Sequence, residues 1–372
     1  MPGKKAKASG RWRKMFFAVL GKARTEKFLT FLLNRKHRSP PLEFPIDIGS
    51  AKEVLLILPE NHLQVIHQLR NVISLMGLFK HCAITLLAER SVAPYIKMVP
   101  GLTIVEYDIQ DHYSREFSEL AQQFRRSVDI CILLNPSPDM PILYLAGATA
   151  APVRAGYIDA GDSPFLNFHV RPSARRVYLP DWYCAMADVF GAHSGEIRWR
   201  VAQKTVEEVD HLIRELKLNP DIPLIGFDAL YFLRTFGVEW TERFMHRINE
   251  LNLGTTYFIL QQKASERELV WLCKCNVPSF AELSVSRMAA LVGKSKFIIS
   301  GNTTTYALAG LLQRPAFGFF REDEIVRYCP QNPVLKGVAY NAPSGSPAPE
   351  EVDRMVDMIV KAFAAPAPSQ KK

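Results

Sequence analysis

Phe297-Ile-Ile-Ser-Gly-Asn-Thr-Thr-Thr-Tyr-Ala-Leu-Ala-Gly-Leu-Leu-Gln-Arg-Pro-Ala-Phe-Gly-Phe-Phe320 alternates apolar and turn-forming blocks. It reads as a buried strand, a polar turn, a short apolar helix over 307–312, a second turn and a second buried strand. The turn from Gly301 to Thr305 falls just past the carboxyl end of a strand, where a helix begins. In parallel α/β sheets that position presents free backbone N–H groups and the positive helix end to a ligand. The expectation is a phosphate seat built from Asn302, Thr303, Thr304 and Thr305, with hydroxyls and an amide but no charged side chain.

The same grammar runs outward from this stretch. Upstream, strands are expected at 224–227 and 256–260, with helices at 240–251, 266–274 and 284–292. The final clear strand is 316–320. A late helix at 350–363 follows a Pro/Ser/Gly stretch, and the residues from 365 carry the composition of a disordered tail. A polar segment, 192–220, with one helix near 205–216, separates this half from an earlier one. There strands are expected at 54–58, 83–88, 102–107, 129–134 and 154–157, and helices at 65–79, 116–126, 141–150 and 177–190. Strands spaced by helices imply parallel, doubly wound sheets. The fold class is α/β, GT-B-like, with two Rossmann-like domains facing across a cleft. The domains are an N-terminal extension (1–52), an acceptor domain (53–200), a nucleotide-sugar donor domain (201–342) and a C-terminal helix with its tail (343–372).

At 372 residues the chain is long enough for two cores. Its net charge of +9 is unevenly placed. Residues 1–38 hold twelve Lys and Arg against the single acid Glu26, which leaves −2 for all the rest. The basic pI belongs to this segment, and the body does not read as a nucleic-acid binder. Trp12, Phe16, Phe17, Phe28 and Phe31 interleave with the cations. This pattern fits an amphipathic helix on an anionic membrane surface, a helix packed on the body, or a disordered basic leader. No apolar run reaches the length of a membrane span. The six cysteines show no C-x-x-C pairing and read as reduced residues of a cytoplasmic protein. Neither they nor the nine histidines show metal-ligand spacing, so no metal is expected.

Four stretches carry a resemblance to a known family. The first is Leu55-Leu-Ile-Leu-Pro-Glu-Asn-His-Leu-Gln64, a strand and a short loop. The second is Asp129-Ile-Cys-Ile-Leu-Leu-Asn135 with Ala151-Pro-Val-Arg-Ala-Gly-Tyr157. The third is the helix that Gly191 ends, and the fourth is the turn at 301–305. In order and spacing, over about residues 53–330, they resemble the heptosyltransferases of glycosyltransferase family 9. The resemblance implies inverting, metal-independent transfer of a sugar from a nucleotide-diphosphate donor to a lipid-linked or glycan acceptor, of the cell-envelope polysaccharide or lipopolysaccharide type. It implies no cofactor beyond the nucleotide-sugar itself.

The family motifs are altered here. Gln64 stands where the family has the Asp taken as base, and an amide cannot accept that proton. Asn302, Thr304 and Ala307 replace the Asp, Gly and His of the donor turn. The lysine that meets donor phosphate in the family has no counterpart: Gly237 lies near its place, and Arg234 is the nearest cation. Glu60 or His62 can supply the base, and either also reads as an ordinary loop residue. Arg234 or Arg321 can meet the diphosphate. Asn302 can contact the donor or simply cap its helix. Glu282 falls where the family approaches the donor base and ribose, or where a carboxylate favours a helix start. Asp159 and Asp162 can reach an acceptor or serve a turn. Two functions from different classes follow: a glycosyltransferase with relocated groups, or a catalytically inactive paralogue that binds a glycan or a protein. An epimerase-like nucleotide-sugar enzyme shares the two-domain plan and is a third.

Overall fold

The computed structural model describes residues 42, 47–97, 99, 101–108, 115–157, 163, 165–192, 201–219, 221–330, 332, 334–340 and 349–364. The basic segment 1–38, and with it the membrane expectation, lies outside the described residues. The chain divides into two compact units, the first comprising residues 1–173 and 183–194, the second 174–182 and 195–372.

The first unit holds a six-stranded sheet in the order β3-β2-β1-β4-β5-β6. Its strands are β1 (Glu53–Ile57), β2 (Ala83–Glu89), β3 (Thr103–Tyr107), β4 (Ile130–Leu133), β5 (Val153–Tyr157) and β6 (Phe168–Val170). All pairings are parallel. The connecting helices include α1 (His62–Leu78), α2 (Ala93–Ile96), α3 (Arg115–Gln123) and α4 (Met140–Ala148). β1 and β4 are continuous apolar runs because helices cover both faces of a parallel sheet. One core face gathers Leu55, Ile57, Leu87, Tyr107, Cys131 and Leu133 under Phe117, Phe124 and Ile142. Helix α5 (Leu179–Val189) carries the chain between units, and the division passes through it.

The second unit repeats the plan. Its strands are β7 (Leu224–Phe227), β8 (Thr255–Leu260), β9 (Ser279–Ala281), β10 (Phe297–Gly301), β11 (Ala316–Arg321) and β12 (Leu335–Tyr340). They lie in the order β12-β11-β10-β7-β8-β9, again all parallel. Read from the other edge, this is the strand order of the first sheet, and both match the dinucleotide-fold order. Its helices are α6 (Gln203–Glu215), α7 (Ala229–Phe236), α8 (Val238–Glu250), α9 (Glu266–Lys274), α10 (Val285–Lys294), α11 (Thr304–Leu311), α12 (Glu322–Tyr328) and α13 (Pro349–Ala364). Phe227, Phe232, Phe236, Trp240, Phe244 and Phe319 form one aromatic stack under α7 and α8. Val352, Met355, Val356 and Ile359 of α13 close the same core.

Three strands and three helices add to the sequence reading. Strands β6, β9 and β12 are edge strands, and an edge needs no continuous apolar run. Only Phe280 of β9 is buried, and β12 includes Lys336 and Gly337. Thus Ala316–Arg321 is not the last strand. Helix α7 buries Ala229, Leu230, Phe232, Leu233 and Phe236 and exposes Arg234, but at eight residues it is too short for that face to stand out in the sequence. Gly237, at φ 84°, ends it and starts α8. Helices α2 and α12 are short.

Candidate functional site

In each sheet the strand order reverses between two central strands: β1 and β4 in the first unit, β7 and β10 in the second. Loops leaving the carboxyl ends of such strands diverge to opposite faces, and the opening between them is where doubly wound folds take ligands.

In the second unit that point is a closed polar network. Asp228, immediately after β7, is 3% exposed. Its Oδ2 accepts from Gln261 Nε2 at 2.8 Å and from the Ser300 hydroxyl at 3.0 Å. The Ser300 and Thr303 hydroxyls lie 2.7 Å apart. Gln261, just past β8, also donates to Thr303 Oγ1 at 3.2 Å and to the Thr305 hydroxyl. Burial raises the Asp228 carboxyl to about 6, against the opposing pull of the Thr303 and Ser300 hydroxyls.

Helix α11 starts at Thr304, three residues earlier than the apolar run suggests, so Thr304 and Thr305 belong to its first turn. Thr303 is the N-cap residue, and Asn302 is not: its amide nitrogen donates to Glu324 Oε1 at 3.2 Å. Thr304 and Thr305 are buried, and Thr303 is partly so. The Thr303 and Thr305 hydroxyls are therefore committed inward. No side chain caps α11, so its first-turn backbone amides have no side-chain partner.

Of the two proposed phosphate cations, Arg234 sits at the end of α7 against Glu268, with Nε to Oε1 at 2.7 Å and Nη2 to Oε2 at 3.0 Å. It also donates to the Lys263 carbonyl at 3.1 Å and to Gln262. Arg321 pairs with Asp323 and Glu324, each at 3.4 Å. Glu282 follows β9 as an exposed residue in the left-handed region, at φ 53°. It is not in the first turn of α10, which Ser284 caps by accepting from the Arg287 amide at 3.3 Å.

In the first unit the loop from β1 to α1 carries Pro59, Glu60 and Asn61. Asn61 caps α1, accepting from the Leu63 and Gln64 amides at 2.9 and 3.2 Å. Gln64 thus lies in the first turn of the helix, half-buried. Deeper in α1, Gln68 donates to the Leu134 carbonyl at 2.6 Å, tying the helix to the end of β4. Glu60 is half-buried, and its Oε1 is sealed without a hydrogen-bond partner. Burial, then the neighbouring Asp139 and Glu89, raise its pKa. The Tyr107 hydroxyl, at the end of β3, is likewise buried without a partner. The exposed imidazole of His62 stacks on Tyr95 with centroids 5.4 Å apart, and desolvation lowers its pKa. His67 is buried in α1, lowered to about 4 and so neutral. Asp159 and Asp162 lie outside the described residues. Among the described residues, no group of three or more His, Cys, Asp or Glu is placed to hold a metal ion, and no helix is long and apolar enough to cross a membrane.

Asp228, Gln261, Ser300 and Tyr107 were not singled out in the sequence. Each is the last residue of a strand, the next residue beyond one, or, for Ser300, the penultimate residue. The available signal was a polar residue closing an apolar run at a strand's carboxyl end.

No family model and no curated protein matches the sequence. Solved structures do. A glycosyltransferase family 9 protein from Veillonella parvula DSM 2008 superposes with a TM-score of 0.63 at 16% identity, over 87% of this chain and 98% of that one. An E. coli heptosyltransferase with ADP-2-deoxy-2-fluoro heptose gives 0.59 at 13%, over 83% and 99%. E. coli ADP-heptose lipopolysaccharide heptosyltransferase II gives 0.56 at 14%, over 84% and 98%. The chain has the fold of the family 9 heptosyltransferases, the GT-B class expected from its sequence.

Proposed function

We propose that the chain is a glycosyltransferase that moves a sugar from a nucleotide-diphosphate donor to a lipid-linked or glycan acceptor of the cell-envelope type, with inversion and without a metal. One observation carries this reading. At the reversal point of the second sheet, the turn at 301–303 opens a helix whose first-turn amides no side chain caps, while the hydroxyls around them are fixed inward. Amides held this way bind a diphosphate without reorganising, and they stabilise the charge that grows on it as the glycosidic bond breaks.

The first unit supplies the acid–base group. Glu60 lies one residue before the cap of α1, and its raised pKa brings it toward the range where a carboxylate removes a hydroxyl proton effectively. In this reading Gln64 contributes hydrogen bonds and no proton transfer. The protein works in the cytoplasm, with residues 1–38 resting on an anionic membrane surface.

The competing function is an inactive paralogue that binds a glycan or a protein. Gln64 and the locked Arg234 favour it, whereas a half-buried Glu60 with a raised pKa is a costly feature for a scaffold to keep. Calorimetry with ADP, GDP, UDP and CDP separates the two. ADP comes first, because a heptosyltransferase of this fold is known with an ADP-sugar analogue. Binding of one diphosphate, weakened at least tenfold by Thr303→Pro but not by Asn302→Ala, is expected. A folded protein that binds none of the four is not a nucleotide-sugar transferase.

A further inference from the structure

The carboxyl ends of β1, β2 and β3 converge on a group of side chains that the donor seat does not use. Glu89 and Tyr107 are register partners on β2 and β3, so their side chains leave the same face. The Tyr107 ring is packed in the first unit's core, 6% exposed, and its hydroxyl has no hydrogen-bond partner. Glu60, half-buried on the loop after β1, holds one carboxyl oxygen equally unpartnered. The charges acting on the Tyr107 hydroxyl come from Glu60 and Glu89, and those acting on Glu60 come from Asp139 and Glu89. Glu89 in turn accepts the Ser91 hydroxyl at 2.6 Å. The nearby cations are spent elsewhere: Lys97 on Glu106 at 2.5 Å, and Arg90 on Glu106 and Asp108.

Two orphaned polar atoms in one small region are costly unless a ligand completes them, at roughly 1–3 kcal/mol each. A phenol donor and a carboxyl group together suit a hydroxyl, which can accept from one and donate to the other. Glu60 and Glu89 beside the Tyr107 hydroxyl, with Asp139 beside Glu60, repel a second anion and favour a neutral or positively charged group.

We infer that the carboxyl ends of β1–β3 bind an uncharged or amine-bearing polyhydroxyl group, and exclude a carboxylated or phosphorylated one. This rests on the transferase reading, in which that group is the reacting end of the acceptor. Glu60 and Tyr107 then fix one acceptor hydroxyl, and Glu89 and Asp139 set the charge selection.

The test uses the full chain on an immobilised array of neutral, amino, carboxylated and phosphorylated oligosaccharides. Neutral or amino glycans should be retained, and Tyr107→Phe, which keeps the buried ring, should cut that retention by about tenfold, the loss of one buried hydrogen bond. The double variant Glu89→Gln/Asp139→Asn should admit carboxylated glycans that the parent rejects. Retention of anionic glycans alone, retention that Tyr107→Phe leaves unchanged, or no retention of any glycan overturns the inference. Nucleotide binding is measured separately, so an enzyme that binds a diphosphate yet selects anionic glycans keeps its proposed activity and loses only this acceptor class.

Discussion

Arg234 and Glu268 hold each other in a two-point ion pair, Nε to Oε1 at 2.7 Å and Nη2 to Oε2 at 3.0 Å. Glu268 also accepts from the Ser265 amide at 2.7 Å, completing the capping box of α9. The Arg234 hydrogen bonds, ahead of the Ser265 contacts, pull the Glu268 carboxyl from its ordinary 4.5 down to about 2. The guanidinium therefore locks the α7–α9 corner, its hydrogen bonds directed at Glu268, Gln262 and the Lys263 carbonyl. Arg234→Met should leave diphosphate affinity within twofold and lower stability by about 1 kcal/mol, the scale of a well-formed surface pair. A folded-state pKa below the unfolded one means that the pair stabilises above about pH 4.5 and loses that contribution as pH falls toward 2. The difference in urea midpoint between the parent and Glu268→Gln should shrink over that window. A tenfold loss of diphosphate affinity in Arg234→Met would return the arginine to the donor seat.

Asp228 behaves in the opposite sense. Its carboxyl is raised from 3.8 to about 6 by burial, so the folded protein binds a proton that the unfolded chain has released. Between pH 4 and pH 6 this group makes the fold less stable as pH rises, by no more than about 3 kcal/mol. Asp228→Asn keeps an oxygen for Gln261 and Ser300 and removes the charge. Its urea midpoint should fall below or match the parent's near pH 4 and gain on it by pH 7. Parallel pH profiles for the two proteins would show that the carboxylate is better solvated than its burial implies.

Glu60 is the residue on which turnover depends in the proposed reaction. Glu60→Gln should reduce kcat by about 10²–10⁴-fold, the usual contribution of a positioned base, with diphosphate affinity unchanged. Because burial and the carboxylates of Asp139 and Glu89 raise its pKa, activity in the parent should rise with pH along a limb above 4.5. Full turnover in Glu60→Gln, with loss in His62→Ala, would move the base to the imidazole that stacks on Tyr95.

Much of this fold was legible because buried parallel strands are apolar throughout: β1, β4, β7 and β10 announce themselves. Three of the four edge strands, β6, β9 and β12, do not, since an edge needs no continuous apolar run; the edge strand β3 was legible through its Ile104, Val105 and Tyr107. At the turn proposed as a donor seat, the strand-to-helix geometry was legible in the sequence, but the partners of its side chains were not. Asp228 and Gln261 lie 75 and 42 residues away from Thr303 in sequence, and only the parallel pairing of β7, β8 and β10 brings them together. Arg234 looked free because the carboxylate that holds it lies in the first turn of a helix three elements later. Tyr107 looked like the last core residue of a strand, which its ring is; nothing in a sequence marks a hydroxyl left without a partner.

Gly301 illustrates how a glycine in a phosphate-type loop can have a different cause. Its φ is not in the left-handed region, so backbone freedom is not what it provides. A Cβ there would run into the ring of Tyr231 on α7. That ring cannot easily retreat: its hydroxyl donates to the Phe319 carbonyl at 2.9 Å and lies 3.2 Å from the Tyr340 hydroxyl. The glycine thus lets α7 lie close against the end of β10, which keeps Asp228 beside Ser300 and Thr303. Gly301→Ala should cost about 1–3 kcal/mol, the range for a methyl forced into a packed core, and weaken diphosphate binding by displacing the turn. Tyr231→Leu removes the obstructing ring, so the double variant Gly301→Ala/Tyr231→Leu should be less destabilised than the sum of the single changes, with a coupling of at least 0.5 kcal/mol, above the error of additive sites. Strict additivity in urea unfolding would mean that the glycine serves the ligand and not the helix.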